Sequence, residues 1–247
     1  MKTAIVAAMT LACVTLVPLR ARSQTPPATP PQVWTGNFGA GLALTNGNTD
    51  TRNFNVSFGV VRDPKTRSVL RSNGLYLRGD SNDKLIANQM SFVLRDEINL
   101  SSKTFVFVQG TYAHDTFKGI RYLVSPTVGV GYKFINTDVT LFGIDTGIGG
   151  VWERDTGHAT LGTGAYNLGE RFARKISNTA TITQSIVSLW KTNDWSDSLH
   201  NFTVGVAASV TAHTELKFEF LDSFKNRPLP GLKKNDTALI TAFVWKL

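Results

Sequence analysis

Two histidines sit where they could take part in catalysis. His200 falls on the apolar side of an alternating segment, with Ser198 and Ser188 close to it in the pattern. A serine beside a histidine has the parts for acyl transfer, because the imidazole can take the hydroxyl proton as the oxygen attacks a carbonyl. On an apolar face, the substrate of such a pair would be lipid. The plain alternative is a histidine at the end of a strand, packed among interfacial side chains. His114 beside Asp115 offers a base and a carboxylate to orient it, or simply a polar pair at a strand end. The sequence has no Gly-x-Ser-x-Gly elbow and no HExxH pair, so no residue is assigned a catalytic role.

For metal, Asn46-x-Asn48-x-Asp50 is spaced like the start of a calcium loop. Such a loop needs glycine at its sixth position and glutamate at its twelfth, where this chain has Thr51 and Ser57. Turn chemistry accounts better for both this segment and Gly79-Asp80-Ser81-Asn82-Asp83, so no metal and no cofactor is expected. The remaining candidates are charges: Arg121, Lys133, Asp145, Glu153, Glu215, Lys217 and Glu219 on one set of positions, and Lys225, Arg227, Lys233 and Lys234 near the C-terminus. What they can do depends on the elements that carry them.

Those elements are set by a two-residue beat. From Ile120 to Phe134 the even positions are Ile120, Tyr122, Val124, Pro126, Val128, Val130, Tyr132 and Phe134; the odd ones are small or polar except Leu123. Successive strand residues point to opposite faces, so this is a ribbon with a greasy side and a wet side. After Asn136-Thr137-Asp138 a second ribbon carries Phe142, Ile144, Ile148 and Trp152 on one face. Gly143, Asp145, Gly147, Gly149 and Glu153 lie on the other. Long alternating strands joined by tight turns are the repeating unit of a transmembrane β-barrel, in which alternate residues meet lipid and lumen.

Mean hydropathy near −0.06 fits that reading, since half of every strand faces water. Residues 1–23 read as a cleaved signal peptide, with Lys2, an apolar run from Ile5 to Val17, and Ala21-Arg22-Ser23 before the cut. The only cysteine, Cys13, leaves with it. Loss of Lys2, Arg20 and Arg22 takes the formal charge from +8 to +5. These cations are spread over many turns, so nucleic acid is not an expected partner; anionic lipid and small anionic solutes are. Residues 24–33 form a Pro-rich periplasmic tether, and 34–247 are expected to be the barrel.

Along the chain, Trp34 opens the first strand and Phe243, Trp245 and Leu247 close the last, for about twelve in all. Connections alternate between a short set (63–67, 100–103, 136–138, 177–178, 212–213) and a longer set (79–84, 115–119, 154–164, 192–197, 226–235), as periplasmic turns and external loops do. Aromatics gather at strand ends: Trp34, Tyr132, Phe134 and Trp245 at one level, Tyr76, Tyr112, Trp152 and Trp190 at the other. Three places disturb the beat. Leu75-Tyr76-Leu77 runs together. Pro126 predicts a local bulge, because a closed barrel has no edge to host a missing amide. Glu170 and Arg174 share a side with Leu168 and Phe172, which predicts a bulge or a short strand over 165–175.

The opening Trp34-x-Gly36, Thr45-Asn46-Gly47-Asn48-Thr49-Asp50-Thr51, Asp115-Thr116-Phe117, Gly129-Val130-Gly131-Tyr132, and the stretch from Asn226-Arg227-Pro228 to Lys233-Lys234-Asn235-Asp236-Thr237 together resemble the YdiY-like family of salt-induced outer-membrane proteins. The resemblance spans the mature chain and departs at Leu247, where such proteins end on an aromatic. It implies a bacterial outer-membrane barrel, handled by the barrel-assembly machinery that reads the last strand, and no established activity.

The expected protein is therefore an all-β closed antiparallel barrel in the bacterial outer membrane, surrounded by lipid and lipopolysaccharide. Its inward charges, Arg121, Lys133, Asp145, Glu153, Glu215, Lys217 and Glu219, would either line a pore for small ions or solutes or pair across the interior and plug it. Lys225, Arg227, Lys233 and Lys234 would face lipopolysaccharide phosphates from an external loop. A lipid-acting surface enzyme and a soluble exported β-protein that binds a ligand are the alternatives.

Overall fold

The computed structural model describes residues 33–46, 51–81, 84–116 and 118–246. The expected signal peptide, all but the last residue of the tether, the turn residues 47–50, Asn82 and Asp83, Phe117 and Leu247 lie outside them. Twelve strands follow one another: β1 (Trp34–Asn46), β2 (Thr51–Arg62), β3 (Ser68–Ser81), β4 (Lys84–Asn99), β5 (Thr104–Asp115), β6 (Ile120–Asn136), β7 (Thr140–Asp155), β8 (Leu161–Lys175), β9 (Ala180–Lys191), β10 (Asp194–Ser209), β11 (Thr214–Lys225) and β12 (Asn235–Lys246). Each pairs antiparallel with its neighbours in sequence, and β12 returns to β1 from Asn37↔Lys246 to Asn46↔Thr237, closing the ring. Every strand thus has a partner on both sides, and no edge is left for a foreign strand to join.

One end of the barrel, the turn end, carries Trp34, Lys246 and the connections 63–67, 100–103, 137–139, 176–179 and 210–213. The opposite, loop end differs from expectation. Strands β3 and β10 run further than the pattern indicated, so residues 82–83 and 192–193 alone join β3 to β4 and β9 to β10. Among the described residues, only 226–234 forms a long loop there.

The outer face is apolar at almost every position of the beat. Leu42 (72% exposed), Phe58, Val108, Val128, Val130, Ile148 and Phe218 are all exposed there. That is far more exposed apolar surface than a water-soluble monomer leaves uncovered. Trp34 and Trp245 mark the turn end of this band, and Trp152 and Trp195 the loop end.

Pro126 needs no bulge. Its strand keeps register from Val124↔Trp152 to Thr127↔Gly149, with only the pairs between them missing. The buried Ser125 hydroxyl donates to the Gly150 carbonyl at 2.9 Å, so a side chain serves the acceptor that Pro126 cannot reach. Nor does β8 bulge or stop short: its ladder with β7 runs unbroken from Leu161 to Arg174 and that with β9 from Ala165 to Lys175. Glu170 simply faces outward, and its carboxylate accepts from Gln184 Nε2 at 2.6 Å on the neighbouring strand. The ladder slips that do occur lie near strand ends, at 79/80, 113/115, 120/122, 133/135 and 194/198.

The inner face departs most from the simple beat. Near the loop end it is apolar: Ile120, Leu123, Val151, Ala165 and Leu189 pack into one buried cluster, and Leu77, Ala238 and Ile240 into another, with Leu75 and Leu221 against it. Leu75, Leu77 and Leu123, which spoil the alternation, are thus inward residues of an apolar layer. Ile120 joins them because the slip at 120/122 turns it inward.

Candidate functional site

The site is the barrel interior, read from the turn end upward. First comes a chamber of about 710 Å³, lined among others by Val69, Arg71, Asn99, Phe105, Lys133 and Arg171. A second, of about 590 Å³, lies beside it between Asn37, Gly59, Arg71, Glu215 and Lys246. Arg71 borders both.

Above the chambers runs a belt of buried charge. Arg95 on β4 donates from Nε to Glu97 Oε1 at 2.8 Å and from Nη1 to Gln109 Oε1 at 3.0 Å. Its Nη2 reaches Asp145 Oδ2 at 3.0 Å on β7, three strands away around the ring. Arg171 on β8 donates to Glu97 Oε1 at 2.7 Å and Asp145 Oδ2 at 3.3 Å, so the ion pairs span the interior. The Arg95 guanidinium lies 3.6 Å from the centre of the Phe107 ring. Phe105 is shared as a π-face by Arg95, Lys133 and Arg171 at 5.3–6.0 Å. The small residues of β6 and β7 leave room for these rings. A Cβ at Gly129 would lie 2.6 Å from Phe107 Cζ, and one at Gly131 would strike Phe105.

Above the belt is a mainly apolar pocket of about 220 Å³ between Leu75, Leu123, Leu189, Leu199 and Leu221. The loop end closes over it. Lys118, in the β5–β6 connection and 0% exposed, reaches across to Asp236 Oδ2 and the Ser223 carbonyl, both at 2.6 Å. β6 and β12 are six places apart in a ring of twelve, so this contact crosses the full width. Glu153 receives Lys225 at 2.7 Å and also pairs with Lys191; Lys225 bonds Asp155 at 3.0 Å as well. Gly119 turns with φ +70°, and a Cβ there would lie 2.7 Å from Leu229, which seats the 226–234 loop against the β5–β6 connection.

Of the charges singled out in the sequence, Asp145 is in the belt and Glu153 in the loop-end network. Lys133 lines the large chamber, donating to Asn99 Oδ1 at 2.7 Å, and Glu219 borders that chamber while paired to Lys217 at 2.6 Å. Glu215 borders the second chamber and pairs with Lys246 at 3.0 Å. Arg121 is exposed: the slip at 120/122 carries it out of the inward set, and its carbonyl meets His114 Nδ1 at 2.8 Å. Lys225 is a correction of the opposite kind. Expected on an external loop, it ends β11 with its side chain buried among carboxylates. Arg227 is exposed and paired with Asp194, and Lys234 Nζ donates to Asn226 Oδ1 at 3.1 Å; Lys233 is exposed. Sequence reading missed Arg71, Glu97, Arg171 and Lys118. The first three have the right parity to have been counted inward; Lys118 sits in a turn and gives no periodic signal.

His200 has both ring nitrogens occupied, Nδ1 by Ser188 Oγ at 2.8 Å and Nε2 by Ser198 Oγ at 3.0 Å. No nitrogen is left for an orienting carboxylate, and both serines are buried. The ring packs edge-on against Trp190 at 5.2 Å and tilted against Phe224 at 6.0 Å, as an interfacial histidine does. His114 likewise bonds the Arg121 carbonyl and Asn88 Nδ2. Among the described residues no group of three His, Cys, Asp or Glu side chains is placed to hold a metal ion; the Asn46 to Asp50 segment lies largely outside them.

No curated protein matches the chain. Among solved structures, the NanC porin superposes with a TM-score of 0.58 at 11% identity, covering 85% of this chain and 100% of its own. An outer membrane channel of Pseudomonas putida F1 follows at 0.52 and 11%, covering 91% and 100%. The translocator domain of the autotransporter NalP of Neisseria meningitidis gives 0.52 at 8%, covering 87% and 88%. At such identities the likeness is one of fold: a closed antiparallel barrel. At the level of sequence, residues 38–246 match the model of the family described as "Protein of unknown function, DUF481", and the chain belongs to that family.

Proposed function

We propose that the protein is an outer-membrane barrel that acts as a small passive pore, shut in the conformation described above and without catalytic activity. The observation that carries this is the belt of Arg95, Glu97, Asp145 and Arg171, which spans the interior between a polar-lined chamber and an apolar layer. A barrel of this strand number stands between small ones that side chains fill and large ones that hold a channel, so the belt decides whether solute passes. The apolar outer band with aromatic rims supports a bilayer as the solvent. An even number of strands puts both termini on one side, which after export by the signal peptide is the periplasm; the turn end then faces inward to the cell. Arg227, Lys233 and Lys234 would meet lipopolysaccharide phosphates at the loop end. The barrel-assembly machinery would insert the chain, and the YdiY-like proteins would be relatives in this reading.

Planar-bilayer recording tests the pore. Wild-type protein should give long silent periods broken by small steps. A steady large conductance would refute the shut state. A second reading, a permanently plugged envelope scaffold, is favoured by the complete burial of Leu77, Val151 and Lys118. It predicts silence even when the belt is cut.

A further inference from the structure

We propose that the large turn-end chamber is a binding site for a small oxyanion bearing two or more carboxylate or phosphate groups. The reason is a local surplus of positive charge. Four cations, Arg71, Arg95, Lys133 and Arg171, surround only two carboxylates, Glu97 and Asp145. Arg95 and Arg171 already engage those two carboxylates at 2.7–3.3 Å. Arg71 approaches Glu97 no closer than 3.8 Å, and its Nε is buried without a hydrogen-bond partner. Lys133 gives one proton to the neutral Asn99 oxygen.

The other acids near the chamber do not redress the balance. Asp63 at the rim is held by Lys65 at 2.9 Å, and Glu219 by Lys217 at 2.6 Å. The Phe105 ring offsets part of the surplus, but a π-face is a weaker counterpart than a carboxylate. Arg71, Lys133 and Arg171 all line one volume of about 710 Å³. That is within the usual size of a small-molecule site. Two planar guanidinium forks suit paired oxygens better than a spherical halide. The site is defined by the chamber and its charge, whether or not anything crosses the belt.

Calorimetric titration of the full barrel in lipid nanodiscs with citrate and with inorganic phosphate, at constant ionic strength, tests it. Citrate should bind saturably, one per barrel, and phosphate more weakly. Arg71→Gln and Lys133→Gln should each weaken citrate roughly tenfold or more, the effect of removing a charged hydrogen bond. Arg121→Gln, at the exposed loop-end position, should leave it unchanged. If Arg71→Gln does not fold, Arg71→Lys keeps the charge and loses the fork, and it should bind citrate more weakly than wild type. Absence of saturable binding overturns the proposal. So does wild-type affinity in the chamber variants, or displacement of citrate by chloride at equal ionic strength, which would mean an ordinary counterion cloud.

Discussion

Replacing Arg95 by Met keeps most of the stem and removes the guanidinium that ties β4 to β7. Three contacts go: Glu97 at 2.8 Å, Asp145 at 3.0 Å and Gln109 at 3.0 Å, with the stacking on Phe107. Removing one member of a buried ion pair costs about 3–5 kcal/mol when the other is left alone. Glu97 and Asp145 are not left alone, because Arg171 still bonds both. Arg171 is about a third exposed, so its hold is partly screened, and the net loss should be about 2–3 kcal/mol. Chemical unfolding followed by tryptophan fluorescence reads that loss. An Arg95→Met, Asp145→Asn pair should be less destabilised than the sum of its single variants, by about 1–2 kcal/mol, as expected for residues in one network. In planar bilayers the same Arg95→Met protein should conduct more often and in larger steps than wild type. Wild-type stability together with wild-type conductance would refute the belt as both strut and constriction.

Three further outcomes follow from the geometry. Ser125→Ala should cost about 1–3 kcal/mol by leaving the Gly150 carbonyl unpaired, and adding Pro126→Ala should recover much of it by restoring an amide; equal stability of the single variant would contradict this. Gly131→Val should cost about 1–3 kcal/mol through overpacking on Phe105, and Phe105→Leu in the same chain should relieve it, as read by unfolding midpoints. At the turn end, the side-chain hydrogen bond from Lys65 holds the Asp63 carboxyl below the usual carboxylate range. Because the folded value is the lower one, this contribution is present above the unfolded value and lost as pH falls through the folded one, so the turn should loosen only in acid. A carbon-NMR titration of Asp63 with a midpoint at or above that of an exposed aspartate would contradict it.

The ring was legible because its signal is local. Alternation over β6 and β7 gives strand, face and pairing order at once, and each hairpin follows from the one before. Where the beat faltered, the reason lay in partners distant in sequence. Leu75, Leu77 and Leu123 read as flaws because their apolar neighbours come from β8, β9 and β12, across the interior. Pro126 read as a break because the compensating hydroxyl belongs to the residue before it and points at the next strand. Glu170 read as a misfit because its partner, Gln184, lies on β9. The belt was half visible: Asp145 stood out among glycines, whereas Arg95 and Glu97 were ordinary inward positions until Arg171 was brought beside them. Lys225 and Lys118 show the limit, since the reach of a long side chain at a strand end is set by what lies opposite and not by its own segment.

In the proposed pore the interior is open to water from the turn end and closed from the loop end. Single cysteines in a Cys13→Ser background, probed with a membrane-impermeant maleimide on intact cells and again after the outer membrane is permeabilised, test it most directly. Cysteine at Arg227 should react in intact cells, and cysteine at Lys133 only once the periplasmic side is reached. Rapid labelling at position 133 from outside intact cells would contradict it.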